Sequence, residues 1–291
     1  PRRQRHHHAH AGRTLLWLGL LLVVVVAGVA AAFGGRIVDA VRGEGGGGGG
    51  GGTAGTATGP VRQVLIREGL RREEIANILQ TETGLSARRY LALTAPSRRG
   101  AELAGRVRPT SLEGFLFPAT YPVGPGDTVE DFVNAQLEAF DEYTAGISYA
   151  RARARGLDRY DVLIVASMLE REASDPGERR IIAGVMYNRL RAGMRLDIDA
   201  TVQYAIGSWK PELTASDLAV ASPYNTRRYK GLPPGPICNP GVDAIAAAAN
   251  PARTSYLYYV ARGDGTDRHY FARTAAEFEA AVARARGNAG G

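Results

Sequence analysis

The sequence predicts an α+β fold carried on an N-terminal transmembrane helix. Three observations lead there. Nineteen residues near the N-terminus (LLWLGLLLVVVVAGVAAAF) hold no charge, a run of eight glycines follows, and from residue 60 short β-type segments alternate with amphipathic helical periods. With 291 residues, 45% of them hydrophobic, the chain can bury a substantial core.

At 1.5 Å per residue the uncharged run, residues 15–33, spans roughly 28 Å, close to the hydrocarbon thickness of a bilayer. Arg2, Arg3, Arg5 and Arg13 precede it. The positive-inside rule therefore puts residues 1–14 in the cytoplasm as a short tail and everything after the helix outside. The run is longer than the apolar region of a usual signal peptide, which favours a retained single-pass anchor. Residues 34–59, with Gly45 to Gly52 at their centre, cannot pack and read as a flexible tether.

The same four arginines account for more than half of the net charge of +7, so the basic balance does not argue for nucleic acid. No aromatic-interleaved basic stripe or nucleic-acid motif accompanies it. The single cysteine, Cys238, excludes an intrachain disulfide, and the five histidines form no metal-ligand spacing, so neither metal nor cofactor is expected.

From Pro60 the chain turns regular. VRQVLIREG reads as a short strand, LRREEIANILQTETGL as an amphipathic helix and SARRYLAL as a second one, followed by a polar, arginine-rich loop. Residues 60–109 thus form a small strand–helix–helix unit of a size that suits a binding module. Next comes an extended, aromatic stretch, Leu112 to Val123, with one acid, Glu113. Thr128 then opens a helix over residues 129–143.

The stretch from Asp161 to Gly207 is the most informative. An apolar helix ends in two acids, Glu170 and Glu172. Residues two apart lie about 200° apart around a helix, so the two cannot share a face. Glu172 flanks the apolar stripe through Val162, Val165 and Leu169, which favours it mildly as a desolvated acid able to hold a proton near neutral pH. The alternative is that both are solvated acids beside Arg171 and Arg179. Asp175, Pro176 and Glu178 spell a helix start before a second amphipathic helix, and Asp197, Asp199, Gln203 and Tyr204 follow it.

Residues 222–241, rich in proline and glycine and without period, make a structureless loop of a length that is uncommon in a compact domain and usually functional. Its Tyr224, Asn225, Thr226, Arg227, Tyr229 and Asn239 can hydrogen-bond a polyhydroxylated ligand, or the loop is an ordered surface crossing. An alanine-rich helix over residues 242–250 stops at Pro251. Residues 256–261 and 269–271 read as strands joined by a Gly263-Asp264-Gly265 turn, and Thr274 caps a last helix through Arg286. Residues 110–286 form the second, larger domain, and 287–291 a flexible tail.

Several of these segments together resemble one family. LEREAS, GERR, VMYNRL, GMRL and TVQYAIG in the centre, EGFLFPATYPV before them, and YNTRRYKGLPPGPICNPG and ANPARTSYLYYVARGDGTDRHYFART after them occur in the order found in the membrane-anchored endolytic murein transglycosylases (MltG type, YceG-like). The resemblance runs from about Val61 to Phe278. It implies a LysM-like subdomain at residues 60–109 that holds glycan and a catalytic domain at 110–286 that cuts it. The family's catalytic glutamate falls on Glu172. Sugar contacts are expected from Asp199, Gln203, Tyr224, Asn225, Thr226 and Asn239.

The implied partners are peptidoglycan glycan strands, the cell membrane and, through the family's link to wall synthesis, penicillin-binding synthases. The implied reaction needs one carboxylate. It protonates the leaving glycosidic oxygen and then takes the proton from the C6 hydroxyl that closes a 1,6-anhydro ring. Two rivals stand beside it: a lysozyme-type hydrolase using Asp197 or Asp199 as second carboxylate, and a catalytically silent wall-binding anchor. Two departures touch detail only: Ala200 follows Asp199 where the family commonly has proline, and Cys238 sits beside Asn239.

Overall fold

The computed structural model describes residues 59–108 and 110–289. The expected tail, transmembrane helix and all but the last residue of the tether lie outside the described residues. Among those described, no helix is long and apolar enough to cross a membrane.

The first unit is built from β1 (Arg62–Leu65), α1 (Arg72–Thr83), α2 (Ala87–Thr94), α3 (Arg98–Ala104) and β2 (Thr120–Val123). β1 and β2 pair antiparallel, Arg62 opposite Val123 and Leu65 opposite Thr120. The strand's alternation buries Val64 and leaves Leu65 exposed. α1 turns Ile75, Ala76 and Leu79 inward and ends at Gly84, whose φ of 79° is left-handed. Ser86 accepts from the Arg89 amide to start α2.

Two expectations change here. The arginine-rich loop contains α3, started by Ser97, whose hydroxyl accepts from the Gly100 amide; the charge content obscured an ordinary cap. The sheet that closes this unit also runs past residue 109, because β1 finds its partner only at residues 120–123.

The second part comprises α4 (Val129–Thr144), α5 (Ala150–Arg153), α6 (Arg159–Glu172), α7 (Arg179–Arg191), α8 (Asp199–Ile206), α9 (Ala215–Leu218), α10 (Val242–Ala249), a hairpin of β3 (Tyr258–Ala261) and β4 (His269–Ala272), and α11 (Ala275–Ala289). Helices with two small antiparallel sheets make the chain α+β, as expected.

α6 is the hub. Every residue from Val162 to Leu169 is buried, so the helix has no solvent face over its middle turns. Its start is fixed by Asp158 and Asp161, each carboxylate accepting the other's amide at 3.0 and 2.9 Å, and Arg106 pairs with both acids. α10 packs along it, its alanines letting the two backbones come close. The loop of residues 222–241 has no helix or strand. It is nevertheless fastened to α6, with the Ile237 amide donating to Ser167 Oγ at 3.0 Å and the Cys238 thiol to the Ser167 carbonyl at 3.2 Å. Gly114 carries a φ of 89°, and a Cβ there would sit 2.5 Å from the Pro236 ring. Only glycine lets the Glu113 turn approach this loop.

Two helix boundaries differ from expectation. Asp175 does not cap α7. Its Oδ1 accepts from the Gly177 amide at 2.8 Å in a Pro-Gly turn, and the helix starts three residues later, after Glu178. Glu178 turns its carboxylate to His269 instead of back to a cap. At the C-terminus α11 continues to Ala289, so residues 287–289 are helical and not part of a flexible tail.

Candidate active site

The last turn of α6 carries two acids into different surroundings. Glu170, with a side chain only 7% exposed, accepts from Arg179 Nη2 at 3.3 Å and from the Gly241 amide at 2.9 Å. That amide opens α10, so Glu170 ties three elements together: α6, α7 and the start of α10. Both of its oxygens are committed.

Glu172 is partly buried, and among the described residues no cation lies in ion-pair distance of it. Its one side-chain hydrogen-bond partner among the described residues is Tyr259, whose phenol donates to Oε2 at 3.1 Å from β3. Burial pushes the Glu172 carboxyl above the usual range. The Tyr259 bond works the other way by favouring the charged form, the Asp199 charge adds to the rise, and His269 and Arg171 oppose it more weakly. Burial and the Glu172 charge together hold the Tyr259 phenol well above its ordinary value, so it remains a donor.

Tyr259 is itself braced. Its ring meets His269 edge-on, centroids 5.4 Å apart, and His269 Nδ1 lies 2.8 Å from Glu178 Oε2. The buried Glu178 carboxylate also accepts the His269 amide at 3.0 Å. Glu172, Tyr259, His269 and Glu178 thus form a line from the end of α6 through the hairpin to the start of α7.

The expected sugar contacts divide. Asp199, at the start of α8, is exposed and bonded to Arg227 Nη1 at 2.6 Å; it lies near enough for its charge to act on Glu172. Tyr224 is half-buried and stacks obliquely on Tyr204, centroids 4.7 Å apart. Gln203 turns its carbonyl oxygen to the Lys210 amide at 2.9 Å.

The other three are interior. Asn225 donates to the Leu218 and Val220 carbonyls and accepts from the Arg227 amide. Thr226 lies 2.9 Å from the Thr201 hydroxyl and accepts from the Ile198 amide at 3.1 Å. Asn239 accepts from the Gly114 and Leu116 amides and donates to the Leu70 carbonyl and Glu113. All three are buried with their polar atoms satisfied inside the protein, so here they hold the loop in place and present nothing to a ligand.

Sequence reasoning missed Tyr259, His269 and Glu178 as neighbours of Glu172. The signal for Tyr259 was the β alternation of the last hairpin, which places Tyr259 and Ala261 on one face; Glu178, before α7, had none. It also missed Trp209, whose ring has the Arg171 guanidinium 4.0 Å and the Arg71 guanidinium 5.1 Å from its centroid. That contact joins the first unit to the residue preceding Glu172. Asp197, the other candidate second carboxylate, has a φ of 55° and points to Arg189 and Arg195. Among the described residues no group of three or more His, Cys, Asp or Glu side chains could hold a metal ion.

Comparison with known proteins places this geometry in context. The model of the YceG-like family matches residues 53–284. The chain is 35% identical over 222 residues to the endolytic murein transglycosylase of Bacillus subtilis (strain 168), a match covering 72% of this chain and 61% of that protein. It is 36% identical over 155 residues to the endolytic murein transglycosylase of Streptococcus pneumoniae (strain ATCC BAA-255 / R6), covering 52% of this chain and 28% of that one. The chain therefore spans less than two thirds of the length of these relatives. Among solved structures it is similar to a putative yceG-like protein, lmo1499, from Listeria monocytogenes, with a TM-score of 0.65, 31% identity, and 78% of this chain and 77% of that one covered.

Proposed function

The chain belongs to the YceG-like family, and from that premise we propose that it is an endolytic murein transglycosylase with Glu172 as its acid and base. The observation that carries the reading is the setting of Glu172: desolvated, with no ion-pair partner among the described residues, and hydrogen-bonded by the Tyr259 phenol. An acid that burial makes hold its proton more tightly can give that proton to the glycosidic oxygen between N-acetylmuramic acid and N-acetylglucosamine as C1 gains oxocarbenium character. The resulting carboxylate takes the proton of the muramic C6 hydroxyl, which attacks C1 and leaves a 1,6-anhydro end. The Tyr259 hydroxyl favours the charged carboxylate and so eases the half of the cycle in which the proton has left.

One carboxylate suffices because the nucleophile belongs to the substrate. A hydrolase would need a second carboxylate free to activate water or attack. The two candidates, Asp197 and Asp199, are both held by arginines, which supports the transglycosylase over the lysozyme-type reading. Asp199 with Arg227, and Tyr224 with Tyr204, are the exposed or half-buried groups we assign to sugar contacts. The β1–α1–α2–α3–β2 unit, joined to the end of α6 through Trp209, is assigned a LysM-like role in holding the strand. The apolar run at residues 15–33 is assigned to a single-pass anchor with the enzyme outside the cell membrane, near the penicillin-binding synthases.

Mass spectrometry of the products from uncross-linked glycan strands tests the reading. The intact chain is expected to yield anhydro-ended fragments and the Glu172→Gln chain none. Reducing ends would replace it with the hydrolase. Strand binding without cleavage by the native chain would leave a wall-binding scaffold.

A further inference from the structure

A cavity of about 650 Å³ opens between α7 and the segment of residues 251–256, and none of the side chains around Glu172 lines it. Four arginines do: Arg155, Arg191, Arg253 and Arg273, with no aspartate or glutamate among the lining residues. An adjoining hollow of about 380 Å³ shares Arg155, Tyr187, Asn188 and Arg191 with it, so the basic surface continues toward α5.

Three of the guanidinium groups are positioned by neutral partners. Arg273 donates from Nε to Ser255 Oγ at 3.1 Å and lies over the Tyr256 ring at 5.5 Å; Arg155 lies over the Tyr187 ring at 5.9 Å; Arg191 donates to Asn188 Oδ1 at 3.2 Å. Among the described residues none of the four has a carboxylate within ion-pair distance. Glu277 accepts the Arg273 backbone amide, not its guanidinium.

The walls are fixed. Asn188 Nδ2 donates to the Thr254 and Tyr256 carbonyls at 2.8 and 2.9 Å, and the Ala252 amide to the Arg180 carbonyl at 2.8 Å. Gly184 lets the segment lie against α7; a Cβ there would come within 2.7 Å of the Ala252 oxygen.

Four arginines lining one cavity, none of them paired with a carboxylate among the described residues, present a positive surface to an anion. Planar guanidinium forks suit carboxylates. The volume is that of an organic ligand and far exceeds a bare inorganic ion, and apolar side chains and tyrosine rings share the lining with the arginines. We propose that this cavity is an accessory site for a short peptide carrying several carboxylates. Resting on the function proposed above, that peptide is the acidic stem attached to the murein strand, gripped away from the bond that Glu172 cuts.

Titration calorimetry of the intact 291-residue chain with L-alanyl-D-glutamate, which carries two free carboxylates, tests the site. Its diamide and inorganic phosphate serve as comparison ligands. The dicarboxylate is expected to bind, to weaken as salt is raised, and to bind at least about tenfold better than the diamide. Arg191→Gln with Arg253→Gln, two exposed side chains, is expected to cost at least about tenfold in affinity with the melting midpoint unchanged, and Arg273→Lys far less.

Equal binding of the diamide, binding of phosphate alone, or indifference to the double substitution would each overturn the proposal. No bond is cut in this titration. No dipeptide binding by the native chain with its strand cleavage intact would sink the cavity assignment alone, and no cleavage by the native chain with its dipeptide binding intact would sink only the transglycosylase reading.

Discussion

Glu170 and Glu172 stand two residues apart on the last turn of α6, and one is locked into the scaffold while the other faces a single phenol. Glu170 holds Arg179 and the Gly241 amide; Glu172 holds only Tyr259. The half-turn between them decides which acid can exchange a proton with a ligand without dismantling the fold. Replacing Glu170 would loosen the junction of α6, α7 and α10, whereas replacing Glu172 leaves the fold its other contacts.

Tyr259→Phe removes the one hydrogen bond that favours the ionised form of Glu172. With it gone, burial acts with less opposition and the Glu172 carboxyl titrates higher. The alkaline limb of the pH–rate profile for strand cleavage should move to higher pH, with a turnover loss of roughly tenfold to a hundredfold as the charged intermediate loses a donor. A profile that keeps its alkaline limb in place would show that Tyr259 does not act on the acid.

Asp199→Asn acts with the opposite sign. The Asp199 charge helps hold the Glu172 proton in place, so removing it should move the same limb to lower pH while cleavage continues. Complete loss of cleavage together with reducing-end products in the native protein would instead make Asp199 the second carboxylate of a hydrolase.

Glu113 offers a test of stability alone. Buried between the start of α1 and Asn239, its carboxyl is pushed up to about 8, mainly by desolvation and then by the Glu73 charge. An unfolded chain releases that proton near pH 4.3 (roughly). Between the two values the folded chain holds a proton that the unfolded chain has lost. Stability is therefore lost as pH rises through this window, by at most about 1.4 kcal/mol per pH unit, and levels off above it. Glu113→Gln should flatten that slope in denaturant titrations from pH 5 to 8. An unchanged slope would assign the dependence to other groups.

Asn239→Ala distinguishes a scaffold from a sugar contact. The side chain makes four hydrogen bonds that tie two distant segments, Leu70 and residues 113–116, to its own loop. Its loss should cost roughly 3 kcal/mol or more and lower the melting midpoint by roughly 10 °C. A normal midpoint with weakened strand binding would return Asn239 to the list of ligand contacts.

How much of this was legible in the sequence depends on where the partners lie. The helices beginning at Arg72, Ala87 and Val129 and the final hairpin follow from local periodicity and caps, which a few neighbouring residues determine. Glu172 stood out because the apolar run that buries it immediately precedes it. Tyr259 did not, because its role depends on how the hairpin docks 87 residues further along the chain. Asn225, Thr226 and Asn239 misled for a related reason. A polar side chain in a proline-rich loop offers the same hydrogen bonds to sugar as to the loop's own backbone, and only tertiary placement decides between them. α7 starts later than expected because the Asp-Pro-Gly turn and the His269 partner outweigh a local capping pattern.

The ladder around Asn239 also orders events in time. The Gly69 amide donates to the Asn239 carbonyl and the Asn239 amide to the Leu70 carbonyl, both at 2.9 Å, the second pair 169 positions apart in the chain. As the chain leaves the ribosome, the backbone entering α1 keeps these polar groups unmatched until the far loop has been made and has docked. The β1–α3 unit, made well before residue 239, is thus completed only after that loop, and a chain truncated before residue 239 would expose an open seam to chaperones and proteases.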